Sequence, residues 1–171
     1  QVMHGTDFSL LYEYDEEENV TKVTDVFGRV TEYSYLNDGR LFQVTHQGEV
    51  FTYEYDEVGR LARITYPGST GLVASFTKTD NSSGWNENGQ LLCLRYLKAG
   101  SHFQRFEYTY DDSGNRTQLI DTPQNLSSQV TWNYNYDWLN RLVEVKRDGD
   151  TVSIYTYDES DNRIELELPQ E

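Results

Sequence analysis

Along most of the chain apolar and polar residues alternate one by one. Phe51, Tyr53 and Tyr55 fall on one side of an extended backbone and Val50, Thr52 and Glu54 on the other, which is the two-residue period of a β-strand with one face turned inward. Phe106, Tyr108 and Tyr110 alternate in the same way with Arg105, Glu107 and Thr109, and Val130, Trp132, Tyr134 and Tyr136 with Thr131, Asn133 and Asn135. Helical spacing is nowhere sustained. After each aromatic strand comes a short polar turn and then an aliphatic strand, such as Leu61 to Tyr66 or Leu142 to Lys146, and second turns are expected at Pro67-Gly68 and Asp148-Gly149. The pattern predicts an all-β chain of tandem antiparallel hairpins.

The hairpins repeat a phrase: Tyr-x-Tyr-Asp, two residues, a turn residue, then Arg or Asn and an aliphatic. Clear copies run Tyr53-Glu54-Tyr55-Asp56-Glu57-Val58-Gly59-Arg60-Leu61, Tyr108-Thr109-Tyr110-Asp111-Asp112-Ser113-Gly114-Asn115-Arg116 and Tyr134-Asn135-Tyr136-Asp137-Trp138-Leu139-Asn140-Arg141-Leu142. Worn copies begin at Tyr12-Glu13-Tyr14-Asp15, Tyr33-Ser34-Tyr35 and Tyr155-Thr156-Tyr157-Asp158, and the weakest is Trp85-Asn86-Glu87-Asn88-Gly89-Gln90-Leu91. The second aromatics stand at 14, 35, 55, 85, 110, 136 and 157, so residues 1–171 read as one array of about seven degenerate repeats with loops of variable length. Pro67 to Gly84 and Asp121 to Ser128 read as long loops within it.

The turn chemistry assigns structural roles. Asp15, Asp56, Asp111, Asp137 and Asp158 can accept the backbone N–H two residues on, while Gly59, Gly114 and Asn140 suit the left-handed residue of a glycine-bulge hairpin. Glu18 does not suit that place, so the first turn is expected to be shifted or longer, using Asn19. The copy at Tyr35 is expected to reach its Asp38-Gly39 turn one residue early. Tyr12, Tyr14, Tyr33, Tyr35, Tyr53, Tyr55, Trp85, Tyr108, Tyr110, Trp132, Tyr134, Tyr136, Tyr155 and Tyr157 form the expected aromatic core face. A lone hairpin cannot hide such a face, so each copy must pack on its neighbours.

The recurring Tyr-x-Tyr-Asp-x-x-Gly-Arg-Leu phrase resembles the YD repeat of the Rhs family, and it does so over nearly the whole chain. That resemblance implies hairpins joined into a long sheet that spirals into a hollow shell. In bacterial Rhs proteins and Tc toxin complexes such a shell encloses a C-terminal toxin, and teneurins carry a similar barrel on a cell-surface receptor. It also implies an Asp-Pro-x-Gly self-cleaving region after the last repeat. None of Pro67, Pro123 and Pro169 follows an Asp, so no cleavage centre is expected here. Seven hairpins would supply part of a shell, and the chain is expected to be a segment of something longer. The resemblance places it in a secreted or cell-surface setting, with the rest of a longer Rhs-like polypeptide, an enclosed toxin, or further copies at the sheet edges as protein partners.

Composition narrows the chemistry. Hydrophobic residues make up 36 % of the 171, and aromatics alone 14 %, so burial capacity rests in rings with polar tips rather than in aliphatics. Twenty-nine acids against 14 Lys and Arg leave a formal charge of −15, a field that repels nucleic-acid phosphates and anionic lipid; no nucleic acid and no membrane insertion are expected. The repeated acids invite a glycosidase pair, yet such a pair needs two unlike environments, and repetition supplies the same one each time. No catalytic residue is therefore assigned. The repeated Arg40, Arg60, Arg116, Arg141 and Arg163 are expected to pair with carboxylates of the next hairpin. His4, His46 and His102 lack metal-ligand spacing, and the lone Cys93 lacks an activating motif, so neither metal nor cofactor is expected. The leading expectation is a non-enzymatic scaffold or shell segment that encloses or presents another polypeptide. The alternative is a cell-surface adhesin or carbohydrate-binding module in which aromatics between Phe76 and Tyr96 face solvent and stack on a glycan.

Overall fold

The structure, a computed structural model, describes residues 2–3, 9–124 and 128–168. Among these residues there is no α-helix. The strands are β1 (Val2–Met3), β2 (Ser9–Tyr14), β3 (Val20–Thr24), β4 (Val30–Tyr35), β5 (Leu41–His46), β6 (Glu49–Tyr55), β7 (Leu61–Thr65), β8 (Leu72–Ser75), β9 (Cys93–Lys98), β10 (Ser101–Tyr110), β11 (Arg116–Pro123), β12 (Val130–Tyr136), β13 (Leu142–Arg147), β14 (Asp150–Tyr157) and β15 (Arg163–Glu167). The Cα framework divides into two compact units, Gln1–Ser75 with Leu97–Ser101, and Phe76–Tyr96 with His102–Glu171.

In the first unit β1 to β8 pair antiparallel in chain order. In the second, β10 to β15 do the same. The hairpins β2–β3, β4–β5, β6–β7, β10–β11, β12–β13 and β14–β15 share one irregularity. Tyr55 faces Leu61 and Glu54 faces Arg63, so Ala62 has no partner across the ladder; Tyr14, Tyr35, Tyr110, Tyr136 and Tyr157 each sit beside an equivalent bulge. A residue left over in this way sharpens the local twist and re-aims the neighbouring side chains.

At the opposite ends of the strands several connections are two-residue turns with both residues left-handed: Gln47-Gly48, Ala99-Gly100 and Asp148-Gly149. Their twist matches that of the flanking strands. The stretch read as a loop from Pro67 to Gly84 is more ordered than its composition suggests. Thr77 bridges Ser83 and Trp85 bridges Leu91, and the Gly84 N–H donates to the Phe76 carbonyl at 2.8 Å.

Full burial is sparse. Val73, Ala74 and Ser75 are buried in the first unit, and Cys93, Thr122, Val145 and Ser153 in the second. The aromatic face is half-buried throughout, with Tyr12, Tyr33, Tyr35, Tyr53, Tyr55, Trp85, Tyr108, Tyr110, Trp132, Tyr134, Tyr136, Tyr155 and Tyr157 all intermediate. Tyr14 is 58 % exposed. Each unit is a single sheet, and a single sheet shields its rings only with their neighbours in the same layer.

Candidate functional site

The repeated residues converge on the seams between successive hairpins, and each seam begins with a five-residue turn. In the turn at 56–60 the Asp56 N–H donates to the Arg60 carbonyl at 2.8 Å and the Gly59 N–H to the Asp56 carbonyl at 2.9 Å. Asp56 Oδ1 accepts from the N–H groups of Val58 at 3.1 Å and Arg60 at 2.8 Å, and Oδ2 accepts from Arg60 Nε at 2.8 Å. One carboxylate thus satisfies two backbone donors and one guanidinium, which is why Asp holds this place. Asp15, Asp111, Asp137 and Asp158 cap their turns in the same manner.

The fourth residue of each turn is left-handed, with φ 86° at Gly59, 88° at Gly114 and 63° at Asn140. Two expectations are corrected here. Glu18 takes φ 66° in a turn of unchanged length, closed by Asp15 N–H to Asn19 carbonyl at 3.0 Å. The left-handed strain of about 1–2 kcal/mol for a residue with a Cβ is offset by the Asp15 cap and by the flanking strands. The turn after Tyr35 is also in register. Gly39 stands four residues on, as Gly59 does after Tyr55, and Leu36 takes the Asp position through its backbone alone, donating to the Arg40 carbonyl at 2.7 Å. A turn that the repeat reading missed, Asp25-Val26-Phe27-Gly28-Arg29, has the same hydrogen bonds. Its signal was the Asp-x-x-Gly-Arg half of the phrase, which lacks the preceding tyrosines.

The second tyrosine of a hairpin ties it to the hairpin before. Beyond Gln43↔Thr52 the β5–β6 ladder stops, leaving the Leu41 carbonyl without a backbone partner on that side, and the Tyr55 hydroxyl donates to it at 2.8 Å. Tyr35 does this to Val20 at 2.7 Å, Tyr110 to Leu91 at 2.9 Å, Tyr136 to Arg116 at 3.0 Å and Tyr157 to Leu142 at 2.8 Å. Every acceptor is the residue six places after the previous hairpin's second aromatic. Burial raises the phenol pKa of Tyr35, Tyr55, Tyr110 and Tyr136, so the donating form is retained.

A second link joins the fifth residue of one turn to the fourth residue of the next. Arg141 Nη1 donates to Asp161 Oδ1 at 2.7 Å and Asn115 Nδ2 to Asn140 Oδ1 at 2.8 Å. Arg40 Nη1 lies 3.3 Å from where a Cβ on Gly59 would stand. Asn140 and Asp161 therefore gain a partner where glycine would offer none. The arginine expectation is corrected in kind: Arg40, Arg60 and Arg141 pair with Asp38, Asp56 and Asp137 of their own turns, and Arg141 also reaches Asp161 of the next hairpin. What the guanidinium groups meet across the seam is chiefly rings. Arg40 lies 4.6 Å from the Tyr55 centroid, Arg141 4.7 Å from Tyr157 and Arg116 4.9 Å from Tyr134, within cation–π range.

Four of the repeated carboxylates, Asp56, Asp111, Asp137 and Asp158, are held in their ionised form. For Asp111 and Asp158 the side-chain hydrogen bonds from Asn115 and Asn162 lead in lowering the pKa. For Asp56 and Asp137 burial pushes upward, and the backbone and guanidinium hydrogen bonds of Arg60 and Arg141 outweigh it. A carboxylate fixed in this way is a poor proton donor. Elsewhere, His46 Nδ1 bonds Thr31 Oγ1 at 2.8 Å and His102 Nε2 faces the Pro123 carbonyl at 3.2 Å; His4 and Pro169 lie outside the described residues. Burial raises the Cys93 thiol pKa. The aromatics expected to face solvent between Phe76 and Tyr96 do not: Phe76, Trp85 and Tyr96 are half-buried, and Phe76 stacks on Trp85 with centroids 5.9 Å apart and planes at 10°.

Two seams open into clefts. One, of about 750 Å³, lies between the turns at 15–19 and 36–40 and is lined by Asp15, Glu17, Asn19, Tyr33, Tyr35 and Asp38 among others. The other, of about 570 Å³, lies between 86–90 and 111–115 against Gln90 and Tyr110.

The sequence and the fold were compared with those of known proteins. A family model described as Teneurin YD-shell matches residues 2–122. No curated protein matches the chain. Among solved structures, the chain is similar to the crystal structure of TcdB2-TccC3-TEV, with a TM-score of 0.73 and 16 % identity over 96 % of the chain. It is similar also to the TcdB2-TccC3 crystal structure, with a TM-score of 0.70 and 16 % identity over 95 % of the chain. The Photorhabdus luminescens Tc holotoxin pore gives 0.69 and 16 % over 93 %. This chain spans 9 % of the length of each of those three chains.

Proposed function

Since the chain belongs to the teneurin YD-shell family, we propose that it is a non-catalytic segment of a shell that encloses or presents another polypeptide, in a secreted or cell-surface assembly. The observation that carries this reading is the seam. At five seams the same joint recurs, a tyrosine hydroxyl reaching back to a carbonyl that follows the previous hairpin's turn, so hairpins add in series without new chemistry. Half-joints are open at both extremes of the described residues: Tyr14 is 58 % exposed, and no tyrosine among the described residues reaches the carbonyl of Arg163. Ile164, Leu166 and Leu168 are also exposed, at 63 %, 46 % and 64 %. Further strands of the same polypeptide or of a partner would cover them. The turn acids are occupied in capping, which argues for scaffold over hydrolase.

Electron microscopy and limited proteolysis of the complete polypeptide that contains this segment test the reading. A closed wall with a protease-protected polypeptide inside is the expected result. An open particle whose segments are all cleaved at one rate would overturn it, and so would saturable glycan binding abolished by Trp85→Ala, the outcome that an adhesin would give.

A further inference from the structure

The repeats serve as one another's reference. At the seams 36–40 to 56–60 and 137–141 to 158–162 the fifth turn residue is an arginine, and its guanidinium lies over the next hairpin's second tyrosine while bonding an acid of its own turn. At the seam 15–19 to 36–40 the fifth residue is Asn19, and the corresponding place is an open cleft. It is lined by Tyr35 and Glu17 together with Asp15 and Asp38, whose carboxylates also accept from Asn19 and Arg40 of their own turns. The electrostatics differ in the same sense. Burial raises the phenol pKa of both tyrosines, but Arg40 pulls that of Tyr55 back whereas Asp15 pushes that of Tyr35 further up. The ring of Tyr35 thus lies in a negative field, beside an intact tether to the Val20 carbonyl.

We propose that this cleft is a binding site for a guanidinium group, supplied by an arginine side chain of a partner polypeptide that docks on the turn row between residues 15–19 and 36–40. The partner's arginine would take the place that Arg40 and Arg141 fill from within the chain, its plane over Tyr35 and its N–H donors toward Asp15 and Glu17. The net charge of −15 favours the approach of a basic segment. The inference does not depend on what the shell encloses, because it concerns the chemistry of one seam.

The test is a titration of the full chain, labelled with nitrogen-15, with the blocked peptide acetyl-Gly-Arg-Gly-amide, alongside its citrulline and lysine counterparts. Saturable shifts of the Asn19, Tyr35 and Gly39 amides with the arginine peptide, at least tenfold weaker with the other two, are expected. Asn19→Arg fills the cleft from within and should abolish those shifts. Glu17→Gln leaves the Asp15 cap in place and should weaken binding several-fold, so the question stays open to test should Asn19→Arg fold poorly. Absent shifts, equal response to citrulline or lysine, or full binding by either variant would each overturn the proposal.

Discussion

Removing a single hydroxyl at a seam measures how much the tyrosine tether contributes. In Tyr55→Phe the ring and its contact with Arg40 remain, while the 2.8 Å bond to the Leu41 carbonyl is lost. The net worth of such a bond is about 0.5–1.5 kcal/mol, and a carbonyl left half-buried without a donor adds to the loss, so a destabilisation of about 1–1.5 kcal/mol is expected. With a urea slope of about 2 kcal/mol/M, the unfolding midpoint should fall by about 0.6 M with the slope unchanged. Tyr53→Phe is the control: its hydroxyl has no hydrogen-bond partner among the described residues, and its midpoint should move by no more than about 0.1 M. Combining Phe at 35, 55, 110, 136 and 157 should remove about 5–7 kcal/mol if the seams act independently, as much as many domains possess. Circular dichroism and tryptophan fluorescence would follow both transitions. Equal midpoints for Tyr55→Phe and Tyr53→Phe would refute the tether.

Three further outcomes follow from the turns and from the close approach of backbone to Gly84. Glu18→Gly relieves a Cβ at φ 66° and should stabilise the chain by up to about 1 kcal/mol, read as a higher midpoint; a loss would show that the Glu18 side chain contributes more than its strain costs. Gly84→Ala places a Cβ 2.4 Å from the Phe76 carbonyl oxygen and 2.6 Å from that of Cys93. It should cost more than about 2 kcal/mol and break the Phe76–Trp85 stack, seen as a red shift in tryptophan emission. On acidification, the lowered pKa values of Asp25, Asp56, Asp111, Asp137 and Asp158 mean that their stabilisation is complete above the unfolded value of about 3.9. It disappears as pH falls through the folded values, so the midpoint should hold from pH 7 to about 5 and drop below about 4. A midpoint unchanged down to pH 2.5 would contradict the capping role.

Strand placement and turn position were legible because both are written locally. Alternation is visible within six residues, and Asp with Gly at a spacing of three names a capped, left-handed turn without reference to anything distant. Where the local words were worn, reading failed in a particular way: Glu18 was judged by its own preference and the turn after Tyr35 was placed one residue early, whereas backbone hydrogen bonds, joined in the first turn by the Asp15 cap, hold both in register. The same bias toward the full phrase hid the turn at Asp25.

What the chain by itself determined is therefore the repeating unit: an extended aromatic strand, a five-residue turn closed by its own first residue, and a return strand. Tertiary structure alone decided what the unit's polar tips are for. The hydroxyl of Tyr55 finds a carbonyl 14 residues earlier and the guanidinium of Arg141 an acid 20 residues later, pairings that exist only once two hairpins lie side by side. The backbone ladder between hairpins stops short of the turns, and the side chains then complete what the main chain leaves unpaired.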